Sequence, residues 1–217
     1  MNKFRQAREQ MVDNQVRTTD VTDYNVLDAF LTVPRELFVP SKKRSLAYSD
    51  ADIEIDNGRI LTQPSPLAKL LQLADISSDD LVLIIASNSG YSAALASRLA
   101  NTVVAVENND DLTQQAETVI SELGYDNVAM ISGHLKEGVP TQGPYDVILI
   151  EGTVGEVPQT LLDQLKDGGK LVTVEGNARR AEAIKILRTG DHFSRMSAFD
   201  TNAPILPEFV KEDAFVF

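Results

Sequence analysis

Glu107 and Gly90 are the residues whose type and placement point most directly to chemistry. Gly90 closes a turn, Ala86-Ser87-Asn88-Ser89-Gly90, between the apolar run Leu81–Ala86 and an amphipathic stretch. Glu107 ends the next apolar run, VVAVE. It stands about twenty residues after the turn opens, a spacing at which an acid can accept both ribose hydroxyls of a nucleoside. Strand, small-residue turn and helix together are how a nucleotide-type site opens in an α/β sheet. The turn has only Gly90 where such turns carry two or three glycines. Asn88 is among the few residues that tolerate positive φ, so the backbone shape can survive while the space for a ligand shrinks. A surface acid beside Asn108–Asp111 is the other reading of Glu107.

Further candidates are sparser. Glu151 ends the run Tyr145–Ile150, where it could line a pocket or stand as a solvated acid. His134 follows Ser132-Gly133, but no spacing supports a Ser-His-Asp arrangement. Gly168-Gly169 reads as a turn into a strand. The chain has no cysteine and only two histidines, His134 and His192, so no metal site is expected. A net charge of −12 argues against binding a phosphate backbone, so no nucleic-acid partner is expected. The N-terminus has no apolar segment of signal-peptide length, and no run is long enough to span a bilayer. A cytoplasmic protein without a membrane partner is the expectation.

The elements that must position these residues alternate. Apolar runs at Leu81–Ala86, Thr102–Glu107, Asn127–Ile131, Tyr145–Ile150 and Gly169–Glu175 read as strands. Between and after them, Tyr91–Ala100, Asp110–Leu123, Pro158–Leu165 and Ala178–Leu187 read as helices. Such alternation predicts a parallel sheet covered on both faces. Ser65–Pro66 reads as a cap and first helical position ahead of LAKLLQLA. Residues 1–55 are helical without strands: one helix carries Phe4, Ala7, Met11 and Val12, and a second starts at Thr22–Asp23 and ends at Pro34. Ala47–Gly58 reads as acidic and irregular. Phe193–Phe199 and Ala214–Phe217 read as two final strands, antiparallel because no crossover helix joins them. The expected fold is therefore α/β and Rossmann-like: a mostly parallel seven-stranded sheet with a C-terminal antiparallel hairpin, the layout of class I AdoMet-dependent methyltransferases. A single domain over residues 1–217 is expected, with a helical extension at 1–60 and the core at 61–217.

The chain resembles the protein-L-isoaspartate O-methyltransferases over nearly its whole length. The likeness rests on MVDNQV, VLDAF, VPRELFVP, AYSDADIEI, SGYSAALASRLA, VVAVE, PYDVILIEG and VPQTLLDQLKDGGKLV. The closing LPEF…FVF looks like an alphaproteobacterial branch. The resemblance implies methyl transfer from S-adenosyl-L-methionine (AdoMet) to the α-carboxyl of isoaspartyl residues in damaged proteins. It implies cofactor contacts at Ala86, Ser87, Asn88, Ser89, Gly90, Tyr91, Glu107, Asn108, Gly133, His134, Leu135 and Glu151. It implies an acceptor loop at Ile60, Leu61 and Thr62, with the Thr62 hydroxyl orienting the substrate carboxylate. Such a reaction needs alignment and exclusion of water more than acid–base chemistry.

The departures fall on the cofactor side. Ala86 and Asn88 replace glycines, and Ile84 replaces an acid that helps fix the cofactor's ammonium. Losing such a partner costs about 1.5–3 kcal/mol. His134 stands where the family has an aspartate that accepts the adenine amino hydrogen; it could accept that hydrogen, stack on the base, or be a loop histidine. Two functions follow: an AdoMet-dependent carboxyl methyltransferase, or a weak or inactive domain of the same fold used for interaction. A dinucleotide oxidoreductase is disfavoured by the C-terminal hairpin. A monomer and a homodimer both remain open, since the helical extension offers apolar surface for a lid or a partner.

Overall fold

The computed structural model describes residues 3–56 and 58–210. The chain opens with α1 (Lys3–Met11), which runs on into a π turn at Val12–Val16, and with α2 (Tyr24–Thr32). Asp23 caps α2 by accepting from the amides of Asn25 and Val26, and Val33 is extended ahead of Pro34. A short 3-10 turn, Arg35–Phe38, follows. Next come β1 (Ile53–Asp56), β2 (Arg59–Leu61) and α3 (Pro64–Ala74). The alternating part contains β3 (Leu81–Ile85), α4 (Tyr91–Ser97), β4 (Thr102–Glu107), α5 (Asp110–Glu122), β5 (Val128–Ser132), β6 (Tyr145–Val154), α6 (Gln159–Leu162) and β7 (Leu165–Gly176). Two last strands, β8 (Ala181–Thr189) and β9 (His192–Asp200), complete the sheet.

The order across the seven-stranded sheet is β5-β4-β3-β6-β7-β8-β9. The first five strands pair in parallel, while β8 is antiparallel to both its neighbours. The chain moves outward from β3 to β4 and β5, then returns to β6 on the other side of β3. That reversal makes the carboxyl ends of β3 and β6 the switch point, where open α/β sheets bind ligands.

Period-two alternation sorts the central strands between two cores. Val82 and Ile84, Val103 and Ala105, and Val147 and Leu149 pack on the face carrying α3, α4 and the N-terminal helices. Leu83, Ile85, Val104, Val106, Ile148 and Ile150 pack on the opposite face.

Five expectations are revised. Residues 178–187 are not a helix: β8 occupies most of them, with Ala181 and Ala183 in one core and Ile184 and Ile186 in the other. Residues of good helical propensity are overridden by sheet partners on both sides. The terminal hairpin is therefore β8–β9, and the expected strand at Ala214–Phe217 lies outside the described residues. Ala47–Gly58 is not wholly irregular, because β1 pairs antiparallel with β2. The helix α3 starts two residues earlier than expected, with Gln63 at its cap and Pro64 first. The helix expected at Pro158–Leu165 shrinks to one turn before β7 begins.

Two devices tie the extension and the C-terminal segment to this frame. Arg35, fully buried, donates from Nε to the Ala47 carbonyl and from Nη2 to the Thr62 carbonyl, both at 2.8 Å. Its guanidinium lies 4.8 Å from the centre of the Tyr91 ring. Residues 203–210 form a strap along the end of β6. The Thr153 amide donates to the Pro204 carbonyl at 2.7 Å, and the Leu206 amide to the Thr153 carbonyl at 3.0 Å. A Cβ on Gly152 would lie 2.6 Å from Leu206 Cγ, so the strap's close approach requires glycine there.

Replacing Arg35 with methionine keeps the bulk and strands two buried carbonyls without donors. Arg35→Met should lower unfolding stability by about 2–4 kcal/mol in urea melts. A loss under 1 kcal/mol would show that the extension is held by apolar packing alone.

Candidate functional site

The turn after β3 has the backbone that a glycine-rich loop would have. Ala86, Asn88 and Gly90 all have positive φ, at 60°, 52° and 85°. Asn88 supports its own conformation by donating from Nδ2 to the Ala86 carbonyl at 2.9 Å. Ala86 has no such support, so it carries a left-handed strain of about 1–2 kcal/mol. Gly90 is required for space as well as for φ, since a Cβ would meet that of Ala116 at 3.0 Å.

Glu107 is fully buried and gathers this turn to the end of β4. Its Oε2 accepts the Asn88 amide at 3.1 Å. Its Oε1 accepts the amides of Asn108 and Asn109 at 2.9 and 3.2 Å, and Arg59 Nη2 lies 3.1 Å from it. Burial pushes the carboxyl's pKa up, against Arg59 and the three amides. The alternative of a solvated surface acid is thereby removed. Arg59 also meets the Asn108 side chain and lies 2.8 Å from Glu208 Oε1, which Asn108 Nδ2 reaches at 2.7 Å. The strap thus closes over the end of β4.

Glu151 lies on the other side of the turn. Ile85 pairs with Val106 on β4 and with Ile150 on β6, so Glu107 and Glu151 flank Ala86 one step beyond the last pairs. Alternation puts both acids on the face of Ile84, α3 and α4. Glu151 is 2% exposed, and neither carboxyl oxygen has a hydrogen-bond partner. Burial raises its pKa to about 7, with the Ser92 hydroxyl, the Arg35 guanidinium and the Thr62 hydroxyl pulling it down and Glu107 pushing it up. The two hydroxyls lie near without making hydrogen bonds of normal geometry, and both are themselves unpartnered. Ser87 Oγ and Arg35 Nη1 are buried without partners as well. Buried polar atoms without partners are uncommon in proteins. Here Thr62, Ser87, Ser92 and Glu151 converge at the switch point.

The remaining candidates divide. Asn108 belongs to the Arg59–Glu208 network, and Gly133 is tied to it by donating to the Glu107 carbonyl at 3.0 Å. His134 is exposed. The Tyr91 ring points away into the extension's core, 6.1 and 5.5 Å from the rings of Phe30 and Phe38. Leu135 packs in the core of the opposite sheet face. Leu61 is buried, Ile60 is half-buried, and the adjoining Thr62 is brought to the Glu151 side of the site. Ser89 lines a cavity of about 330 Å³ with Phe38, Pro40, Leu112 and Ala116, to which neither Glu107 nor Glu151 contributes. Ser87, Asn88, Glu107 and Glu151 are all at most 2% exposed, so the space between the acids is closed in this conformation. Sequence reasoning missed Arg35, Arg59, Ser92 and Glu208. Only Arg35 had a signal, its place between Pro34 and Pro40.

The family model described as Protein-L-isoaspartate(D-aspartate) O-methyltransferase (PCMT) matches residues 6–200. A protein-L-isoaspartate O-methyltransferase of Herpetosiphon aurantiacus is 35% identical over 192 residues, covering 88% of this chain and 86% of the relative. A protein-L-isoaspartate O-methyltransferase 2 of Shewanella sediminis is 38% identical over 192 residues, covering 88% and 79%. A solved protein-L-isoaspartate O-methyltransferase superposes with a TM-score of 0.81 at 30% identity, over 92% of this chain and 65% of that one. A Plasmodium falciparum structure determined with S-adenosyl-L-homocysteine superposes with a TM-score of 0.78 at 19% identity, over 96% and 100%, a likeness of fold.

Two outcomes follow from the geometry. Ala86→Gly should raise stability by about 1 kcal/mol, because glycine adopts the left-handed backbone without a Cβ penalty; an unchanged melting temperature would mean the turn relaxes around Ala86. Glu151 binds its proton more tightly folded than unfolded. Its contribution to stability is therefore fully present below about pH 4.5 and is lost as pH rises through about 7. Melts of Glu151→Gln against the parent should diverge across that window, the variant becoming relatively more stable at higher pH. A constant difference would show that Glu151 does not titrate there.

Proposed function

The chain belongs to the protein-L-isoaspartate(D-aspartate) O-methyltransferase family, and we propose that it methylates the α-carboxyl of isoaspartyl residues in damaged proteins, using AdoMet as methyl donor. The observation that carries the reading is the set of unpartnered buried polar atoms at the switch point, with an acid on either side of a left-handed turn. That donor set suits a nucleoside bearing a charged amino-acid arm. Glu107 is in place for the ribose hydroxyls, the turn from Ala86 to Gly90 for the arm, and the Gly133–His134 segment for the base. When bound, the group supplies a methyl already activated by a sulfonium, so the acceptor needs no nucleophilic triad.

What the chain itself must do is orient and exclude water. Thr62 is held by Arg35 through its own carbonyl, which fixes the loop while leaving the hydroxyl free for an acceptor carboxylate. Arg59 and Glu208 cover the site from the hairpin and the strap. The ribose hydroxyls reach Glu107 by replacing the Arg59 contact, so binding draws the covering layer aside. Surrounded by low-exposure walls, an aligned carboxylate and methyl gain from fixed geometry rather than from proton transfer. No helix among the described residues is long and apolar enough to cross a membrane. Within this proposal the protein is cytoplasmic, and its partners are isoaspartyl-bearing proteins and peptides, met as a monomer or homodimer.

Calorimetric titration with AdoMet and S-adenosylhomocysteine, followed by methyl transfer to an isoaspartyl peptide, tests the proposal. Glu107→Ala should weaken both ligands by about tenfold or more, through loss of hydrogen bonds to a charged acceptor. Absence of heat and of any thermal shift at millimolar ligand would sink the enzyme reading and leave a binding domain of the same fold.

A further inference from the structure

We propose that Glu151 receives the α-ammonium group of the methyl donor's amino-acid arm. The inference rests on the methyltransferase reading above and assigns one end of that ligand to a residue on β6. Three observations carry it. First, Glu151 lies at the switch point, in the same cross-sheet row as Ala86 and Glu107. Second, it is an acid with both oxygens buried and unpartnered, beside the equally unpartnered hydroxyls of Ser92 and Thr62. An ammonium has three N–H donors, enough to satisfy a carboxyl oxygen and both hydroxyls together. Third, β3 offers nothing for that role: Ile84, on the same face, is fully buried in apolar contacts.

The spacing agrees. Glu107, at the end of β4, and Glu151, within β6, lie on strands on either side of β3, so their backbones are about 9–10 Å apart. A nucleoside held by its ribose at Glu107 can extend its arm across the turn toward Glu151. The charge balance agrees as well. Arg59 is engaged by Glu107 and Glu208, and Arg35 gives two of its donor nitrogens to carbonyls. Arg35 Nη1 remains unpartnered near Glu151, so the chamber holds one cationic and one anionic group, as the zwitterionic end of an amino acid requires. A carboxylate is not the partner that Glu151 itself lacks, because two like charges side by side disfavour each other. A buried carboxyl without partners costs stability, and a ligand ammonium supplies what is missing.

The test compares S-adenosylhomocysteine with its deamino analogue, which lacks only the amino group, by calorimetry on the full chain. The parent protein should prefer S-adenosylhomocysteine by about 10- to 100-fold, the value of a charge-assisted contact. Glu151→Gln should erase that preference while leaving the analogue's affinity within about twofold, as a protein–ligand double-mutant cycle requires. Glu151→Asp should restore part of it. Without ligand, Glu151→Gln should melt at a higher temperature near pH 8, showing that it folds and that the acid is held at a cost. Equal losses for both ligands, or no loss for either, would overturn the assignment to Glu151 while leaving the methyltransferase reading intact. If neither ligand binds the parent, but thermal melts show it folded, both inferences fall together.

Discussion

The carboxylate of Glu107 is the point on which the site's architecture depends. Three backbone amides and one guanidinium converge on two oxygens that have no access to water. Each amide belongs to a segment whose path would otherwise be unspecified: the turn after β3, and the first residues beyond β4. Hydrogen bonds to a buried charged acceptor are among the stronger local contacts in a protein, and they are directional. The turn is therefore held in a left-handed conformation even where Ala86 resists it. Through Arg59 the same carboxylate reaches the β1–β2 hairpin and the strap.

Around that point, the sheet's alternation decides which groups can meet. Glu107 and Glu151 have the parity of Ala105 and Leu149, so both face α3, α4 and the N-terminal extension. The extension supplies Arg35 and covers Thr62, which explains why a helical segment outside the Rossmann-like core is part of the site. The opposite face is closed by Leu135, Leu206 and Phe209 against apolar neighbours. Polar and apolar roles are thus separated by the sheet, and the unpartnered oxygens of Glu151, Thr62 and Ser92 lie on the side where a ligand would be enclosed.

Much of this was legible in the sequence, for identifiable reasons. The regular alternation from Leu81 to Ile150 marked the parallel strands, because strands buried on both faces are continuous apolar runs. Asp23 announced α2 through its capping chemistry, and Glu107 was legible from its place at a strand end. Strand β8 was not, since AEAIKILR carries good helix formers and only the flanking strands make it extended. The β1–β2 hairpin was hidden in a polar stretch with too few apolar residues to show a period. Arg59 and Glu208 were illegible because nothing local distinguishes an arginine that will cross to a strand end from one that stays in solvent. His134 showed the opposite failure: its position in the motif drew notice, while the fold leaves it on the surface.

The contact between Arg59 and Glu208 joins residues 149 positions apart. Closing so long a loop costs chain entropy before the contact returns anything, which places it among the late events of folding. During synthesis the strands that carry Glu107 and Glu151 emerge and can pair well before the strap exists. The nascent chain therefore acquires its sheet first and its enclosed site last. The ability to shield a reactive ligand from water therefore waits on a segment that follows every strand of the sheet.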